Sequence, residues 1–131
     1  IEYVIDEPKA KYASTLLKED EMDDYIKKIE QYMDIEKPYL NADISLPELS
    51  ERMNIPSHHL SRVINEKLNL NFFDFINQYR VEEVKSRIHD PQYEHLSILG
   101  IAFDSGFNTK SAFKRVFKKM TGMTPSEFKR S

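Results

Sequence analysis

Apolar residues along this chain recur at spacings of three and four, which is the period of amphipathic helices rather than of strands. One such stripe is predicted to bury Met22, Tyr25, Ile26, Ile29, Tyr32 and Met33. Five acidic residues between positions 19 and 24 lie at the start of this helix, where they complement its dipole, and Pro38 is predicted to end it. Residues 1–18 show no clear period and contain Pro8, which is typical of an arm or linker.

Two short helices joined by a tight turn are predicted for residues 45–68. Ser45 and Glu48 have the spacing of a capping box, so Ser45 is the expected N-cap of the first helix. Asn54 can adopt the left-handed conformation that closes a helix. Ser57 is the expected N-cap of the second helix, which should continue to the end of this stretch.

A longer helix is predicted next, followed by a second pair of short helices and a final short one. The long helix is predicted to bury Phe72, Phe75, Ile76, Tyr79, Val84 and Ile88. Its roughly 18 residues span about 27 Å. Ser97 is the expected N-cap of the next helix, and Asn108 or Thr109 that of the helix after it. Thr124, with a glutamate three residues later, is the expected N-cap of the last one.

Composition supports a folded, helix-rich protein. Hydrophobic residues make up 40% and charged residues 31% of the 131 positions, and there are only three glycines. No apolar run approaches the roughly 20 residues that a membrane span requires, so we expect no membrane contact by this segment. Because the chain has no cysteine, disulfides and thiolate metal sites are excluded, and we expect a cytoplasmic location.

Charge is distributed unevenly along the chain, whose net charge is −3. Residues 1–36 carry eleven acids and five bases, whereas residues 105–131 carry one acid and seven bases. Such an asymmetry indicates a polyanionic partner for the basic end.

Helical geometry places most of this positive charge on one face of the penultimate helix. One half of the helix carries only cationic and small polar side chains, namely Lys110, Ser111, Lys114, Arg115, Lys118 and Lys119. The other half carries only Ala112, Phe113, Val116, Phe117 and Met120. Like charges on one face repel one another, and duplex DNA would remove that repulsion, because its major groove admits a helix.

The second helix of the earlier pair has a different outer surface. His58, Ser61, Arg62 and Asn65 point away from its apolar side, and Glu66 lies near that surface. This helix therefore offers hydrogen-bonding groups for base edges but little positive charge. We expect the later pair to supply most of the electrostatic attachment.

Three stretches together resemble a known family. They are "SLPELSERMNIPSHHLSRVI", "YRVEEVKSRI" and "IAFDSGFNTKSAFKRVFKKMTGMTPSEFKR", and they lie between Ile44 and Arg130. This region resembles the DNA-binding domain of AraC/XylS-type transcriptional regulators. The resemblance implies an all-α fold with two helix-turn-helix units joined by a long linker helix, to which this chain adds an extra N-terminal helix. It further implies two recognition helices in successive major-groove segments of DNA.

The resemblance also implies functional residues. By position, base contacts are expected from His58, Ser61, Arg62, Lys110, Ser111, Lys114 and Arg115. Phosphate contacts are expected at helix N-termini and on the cationic face, from Ser45, Asn108, Thr109, Lys118 and Lys119. Asn69 departs from the pattern, because the first unit of the family usually has glycine there.

Catalysis and metal binding find no support in the sequence, so we expect no enzyme, no cofactor and no metal. His58 and His59 are adjacent and cannot share a helix face, and the same holds for Glu82 and Glu83. Arg80 matches a family position, but we expect it to hold helices together rather than to touch DNA.

The predicted organisation is an arm and acidic connector helix in residues 1–37 and a tandem helix-turn-helix domain in residues 38–131. The expected partner is double-stranded DNA, with RNA polymerase as a further candidate. Because the chain starts at Ile1 without a methionine, we expect it to be part of a longer sensor or effector-binding protein. The acidic helix could be a connector, a dimer contact or an intramolecular mimic of DNA, and we expect it to pack against residues 40–131. A helical protein-interaction module that uses its basic helix on an acidic partner remains the alternative function.

Overall fold

The structure, a computed structural model, describes residues 17–131. Its α-helices in this range are α1 Glu19–Glu36, α2 Leu46–Met53, α3 Ser57–Arg62, α4 Phe72–Ile88, α5 Ile98–Asp104, α6 Lys110–Thr121 and α7 Pro125–Arg130. A π-helical turn, Val63–Lys67, continues α3, and single 3-10 turns lie at Pro38–Leu40 and Pro91–Tyr93. The range 17–131 contains no strand, so the all-α prediction is confirmed.

The described residues form two compact units. The first consists of residues 17–36 and 45–72 and contains α1, α2 and α3. The second consists of residues 37–44 and 73–131 and contains nearly all of α4 together with α5, α6 and α7. Each unit therefore holds one of the two predicted helix-turn-helix pairs. The division into an arm and acidic helix in residues 1–37 and a DNA-binding domain in residues 38–131 stays a prediction.

The first unit is built around α3 and its π-helical turn, which contact α2 and α1 respectively. Its buried apolar side chains include Met22, Ile29, Met33, Leu49, Met53, Ile55, Leu60, Val63 and Ile64. The predicted stripe of α1 is confirmed, because its members are buried or half-buried throughout.

The turn signals of the first unit are confirmed except at one cap. The Ser45 hydroxyl accepts a hydrogen bond from the Glu48 backbone N–H at 3.2 Å, and Asn54 is left-handed with φ 56°. Ser57, by contrast, is not the N-cap of α3. Pro56 takes that position, because its carbonyl already accepts the first helical hydrogen bond, from the Leu60 N–H at 2.9 Å.

Asn69 lies just beyond the π-helical turn and has φ 57°. Asparagine tolerates this left-handed conformation better than most residues other than glycine. The asparagine, which stands where the family pattern usually has glycine, therefore leaves the end of this helix intact.

The second unit has a continuous apolar core. Its buried members are Val81, Val84, Ile88, Ile101, Ala102, Phe107, Phe113, Val116 and Phe117. Phe117 is fully buried and packs edge-on against Phe113 and Phe128, with ring centroids 5.7 and 5.6 Å away. Rings in such edge-to-face pairs fix the position of α6 against the rest of the unit.

Arg80 holds the 37–44 segment onto α4. Its Nε donates to the Tyr39 carbonyl oxygen at 2.8 Å, and its Nη2 donates to the Asn41 carbonyl oxygen at 2.9 Å. The prediction that Arg80 joins structural elements is thus confirmed. Gly106 lies directly against this contact, since a Cβ added to it would come within 2.2 Å of the Tyr39 oxygen.

Glu83 is the ionic partner of the same segment. Its carboxylate accepts hydrogen bonds from Lys37 Nζ at 3.3 Å, Tyr39 Oη at 3.1 Å and Arg87 Nε at 2.7 Å. Burial alone would raise the pKa of Glu83. The hydrogen bonds from Arg87 and Tyr39 and the charges of Arg87 and Lys37 outweigh burial, so the pKa of Glu83 lies below its ordinary value of 4.5.

A depressed carboxyl pKa makes a pH-dependent contribution to stability. The contribution of Glu83 is fully present above the unfolded-state pKa near 4.5 and is lost as the pH falls through the lower folded-state value. We expect Glu83→Gln to lower the free energy of unfolding by about 1–2 kcal/mol at pH 7 and by much less at pH 3. Urea titrations at both pH values measure this. Glu82→Gln, next to it on the exposed side of α4, should cost little at either pH, and an equally large loss there would contradict the assignment.

Candidate nucleic-acid interface

The second helix-turn-helix pair is positioned by local caps and two glycines. The Ser97 hydroxyl accepts from the Gly100 N–H at 2.9 Å and begins α5. The Thr109 hydroxyl accepts from the Ala112 N–H at 3.1 Å, so Thr109 rather than Asn108 is the N-cap of α6. Gly122, with φ 80°, ends α6. After it, Thr124 caps α7 in a complete capping box with Glu127, as predicted.

The two predicted halves of α6 are confirmed. Phe113, Val116 and Phe117 are at most 5% exposed. The polar half is exposed along its whole length, at Lys110, Ser111, Lys114, Arg115, Lys118 and Lys119. Because the apolar half of α6 is packed in the core, the side chains of the polar half point into solvent.

The cations of α6 are almost unpaired by carboxylates. Lys119 Nζ lies 3.9 Å from Asp74 Oδ1. Within residues 17–131, no other cation on the polar half of α6 has a carboxylate oxygen within 4 Å. Such a surface has a strong positive potential, which attracts polyanions.

An open groove of about 840 Å³ runs beside these cations. Its lining is mostly apolar and includes Ile98, Leu99, Phe113 and Pro125, together with the lysines and arginine of the polar half of α6. The groove therefore joins the exposed half of α6 to the first turns of α5 and α7.

The expected phosphate contacts of this unit lie at the two ends of α6. Asn108 and Thr109 are exposed at its N-terminus, and Lys118 and Lys119 are exposed in its last turn. The first turn of an α-helix has backbone N–H groups without helical partners, which favour an anion. Ser45 is exposed in the first unit, as the N-cap of α2.

The candidate base-contacting residues of α3 are less exposed than those of α6. His58 is exposed, whereas Ser61 is half-buried and its hydroxyl accepts from Asn65 Nδ2 at 3.3 Å. Arg62 is also half-buried, and its Nη2 lies 3.3 Å from Glu66 Oε1. The sequence placed Arg62 on the outer surface, whereas in the structure its side chain pairs with Glu66 four residues later and its Nε is buried. The rotation of the helix is not the cause, because Leu60, Val63 and Ile64 are buried while Asn65 and Glu66 are exposed, as helical period requires.

The helix α1 packs against α3 and its π-helical turn, in agreement with the expected packing on residues 40–131, but the sequence does not predict which residues make the contacts. Lys67, at the end of the π-helical turn, forms ion pairs with Glu19 and with Asp23, the latter at 3.5 Å. Tyr25 Oη lies 3.3 Å from His59 Nδ1, and His59 is half-buried. These partners are more than thirty residues apart in sequence, and no local spacing pattern links them.

The environment of His59 keeps it neutral near pH 7. Burial against α1 lowers the pKa of the imidazole below 6.5, and the adjacent His58 lowers it further. The exposed member of the histidine pair is therefore His58, which is the one with access to a ligand.

Neither metal chemistry nor a membrane span is indicated for the described residues. Across residues 17–131, no cluster of three or more histidine, aspartate or glutamate side chains is placed to hold a metal ion. In the same range, no helix is both long and apolar enough to cross a bilayer.

Comparison with known proteins identifies the family to which the chain is similar. A family described as a helix-turn-helix domain matches residues 49–131. An uncharacterized HTH-type transcriptional regulator of Staphylococcus aureus (strain COL) is 34% identical over 102 residues. The aligned residues are 78% of this chain but 13% of that regulator, so the chain spans a small part of its length.

Two solved structures are similar to the chain over most of its length. One is the C-terminal domain of AraT, a response regulator from Geobacillus stearothermophilus, with TM-score 0.64 and 26% identity over 79% of this chain and 83% of that one. The other is the C-terminal domain of the two-component response regulator yesN from Fusobacterium nucleatum, with TM-score 0.64 and 28% identity over 80% of this chain and 98% of that one.

The family match covers most of the first helix-turn-helix pair, the linker helix α4 and the whole second pair. The family is one of DNA-binding regulators and not of enzymes. The chain belongs to the AraC/XylS-type family of helix-turn-helix transcriptional regulators.

Proposed function

We propose that this chain binds double-stranded DNA sequence-specifically for a transcription regulator, with α3 and α6 in successive segments of the major groove. The observation that carries the proposal is the polar half of α6, which is exposed along its length and has almost no carboxylate partners among the residues that the structure describes. A helix with its side chains is about 10–12 Å wide, which fits a major groove of about 12 Å. Phosphates then neutralise the mutual repulsion of the cations.

Different parts of α6 have different tasks in this proposal. The N-terminal half reads base edges with Lys110, Ser111, Lys114 and Arg115. Arginine and lysine donate to the O6 and N7 acceptors of guanine, which a major-groove helix can reach. Lys118 and Lys119 bind phosphates on one side, and the first turn at Asn108 and Thr109 binds them on the other.

The first unit adds base contacts in a second groove segment. His58, Ser61 and Arg62 of α3 are the proposed readers, and Ser45 at the start of α2 is the proposed phosphate contact. α4 has 17 residues and is about 25 Å long, and we propose it as the spacer between the two segments, which a helical turn of DNA separates by about 34 Å.

The biological setting is also a proposal. The relative from Staphylococcus aureus is far longer than this chain, which covers 13% of it. We propose that the domain acts within a longer, cytoplasmic regulator, for which RNA polymerase is a candidate second partner.

Two substitutions on α6 separate base reading from phosphate binding. Arg115→Ala should weaken binding to a duplex selected from a random pool by roughly 1–3 kcal/mol and relax the base preference at one position. Lys119→Ala should weaken binding to selected and random duplexes by the same factor, because phosphates are present in every sequence. Titrations of both variants against both duplexes measure the difference.

The same titrations distinguish DNA binding from the alternative of protein binding. A module that uses α6 only on an acidic protein surface would leave random duplex unshifted even at low salt. Equal losses on both duplexes for both variants would contradict the proposed division between base and phosphate contacts.

A further inference from the structure

Arg62 is held in an unusual position within the first recognition helix. Its side chain is 26% exposed, and its Nη2 pairs with Glu66 Oε1 at 3.3 Å. Its Nε is buried and, within residues 17–131, has no hydrogen-bond acceptor. A guanidinium with one buried, unsatisfied donor is not in its most favourable environment, so its position depends on the contact with Glu66.

The remaining polar neighbours of this pair are occupied elsewhere. Ser61 and Asn65 hydrogen-bond to each other at 3.3 Å. Lys67 is directed towards Glu19 and Asp23 on α1. Arg62 is therefore the cation that Glu66 engages within its own helix.

Base reading requires Arg62 to leave this position. Recognition of guanine uses two donors of the guanidinium fork at once, and a half-buried side chain with one edge towards the protein cannot present them fully. Release of Arg62 also separates it from Glu66. That carboxylate, with a side chain 51% exposed, then faces the DNA without a cation.

We propose that Glu66 is a specificity-determining residue. On random DNA, Arg62 stays paired with Glu66, whereas at a specific site the pair separates because the bases offer hydrogen-bond partners to both side chains. This inference rests on the proposed function. Random duplex offers mainly phosphate oxygens, which repel a carboxylate. A site with guanine opposite Arg62 and a cytosine amino group near Glu66 supplies acceptors to the first and a donor to the second.

Glu66→Gln tests the inference, because glutamine keeps the side-chain length and removes the charge. We expect affinity for random duplex to rise about 5- to 10-fold and affinity for a selected duplex to rise less than about 2-fold. The ratio of specific to random binding should then fall at least about 3-fold. Sites selected by the variant from a random pool should lose a guanine or cytosine preference within one half-site.

Glu51→Gln is the matched control. Glu51 is an exposed residue of α2 in the same unit, so the substitution removes the same charge without touching Arg62. If both variants raise specific and random binding by equal factors, Glu66 acts only through net charge and the inference is overturned. A larger fall in the ratio for Glu66→Gln than for Glu51→Gln supports it.

A measurement without DNA examines the held position of Arg62 directly. In ¹⁵N-resolved NMR spectra of the free protein, the buried Arg62 Nε–H should exchange slowly with water and should exchange at least about 10-fold faster in Glu66→Gln. Fast exchange in the wild type would overturn the inference. Failure of the wild type to bind any duplex would overturn the proposed function and the inference together, whereas normal binding with an unchanged ratio would overturn the inference alone.

Discussion

Substitution of Gly106 by alanine is expected to lower the free energy of unfolding by about 3–5 kcal/mol, because two penalties combine at this position. Gly106 has φ 110°, a conformation that residues with a Cβ rarely adopt. An added Cβ would also lie 2.2 Å from the Tyr39 carbonyl oxygen and 2.6 Å from Arg80 Nε. Since these two atoms are hydrogen-bonded to each other, neither can move without loosening the 37–44 segment from α4.

Gly122→Ala separates the two penalties. Gly122 also has a positive φ, of 80°, but an added Cβ would have no atom within 4 Å. Its substitution should therefore cost only the conformational penalty, about 1–2 kcal/mol. Urea unfolding followed by circular dichroism gives both values. If the two variants lost equal free energy of unfolding, the close approach of Gly106 to Tyr39 and Arg80 would not add to the cost of the substitution.

Most of the helices and their caps follow from short-range patterns, so the sequence alone predicts them. The cap of α6 by Thr109 and the box of Thr124 with Glu127 depend on residues three apart, and the structure contains both. The cationic half of α6 is likewise a consequence of helical period, because burial of Phe113 and Phe117 fixes the direction of the remaining side chains.

The features that were missed depend on contacts between distant parts of the chain. The ion pair of Lys67 with Glu19 joins residues 48 positions apart, and the spacing within either helix does not encode it. Gly106 reads from sequence as a helix terminator, whereas the Tyr39 carbonyl oxygen, which excludes a Cβ there, lies 67 positions earlier.

The helix α3 shows a different reason for a missed feature. Helical period predicts the side of the helix from which a side chain leaves, but not how a long side chain then folds. Arg62 pairs with Glu66 four residues later and is only 26% exposed, so its exposure was overestimated. The lysines and arginine of α6 have no acidic residue four positions later, and their exposure was predicted correctly.

Reversal of two charges on α6 is expected to have the largest effect on DNA binding. In the double variant Lys114→Glu/Lys118→Glu, two exposed cations one turn apart become anions that face the duplex. Each lost contact is worth about 1–3 kcal/mol, and repulsion from phosphates adds to this. We expect affinity for any duplex to fall at least 100-fold. Glutamate and lysine have similar helix propensities and both sites are exposed, so the expected loss of stability is only the cost of an anion in the last turn of α6, about 0.3–1 kcal/mol.

The N-terminal helix provides a control with the same change in net charge. Lys27 and Lys28 are exposed on α1, and Lys27→Glu/Lys28→Glu also makes the protein more negative by four charges. If long-range repulsion by the whole protein governs binding, both double variants will bind equally poorly. If local contacts of α6 govern it, the α1 variant should lose less than about 5-fold at an ionic strength near 0.15 M, where the screening length is about 8 Å.

The salt dependence identifies the nature of the lost contacts. For about six neutralised phosphates, the logarithm of the wild-type affinity should fall with the logarithm of salt concentration with a slope near −5. The α6 variant should have a slope flatter by about 1, because Lys118 is the proposed phosphate contact of the two, whereas the α1 variant should keep the wild-type slope. A wild-type slope flatter than about −2 would contradict attachment through phosphates. In that case the cations of α6 would have to act on a partner other than duplex DNA.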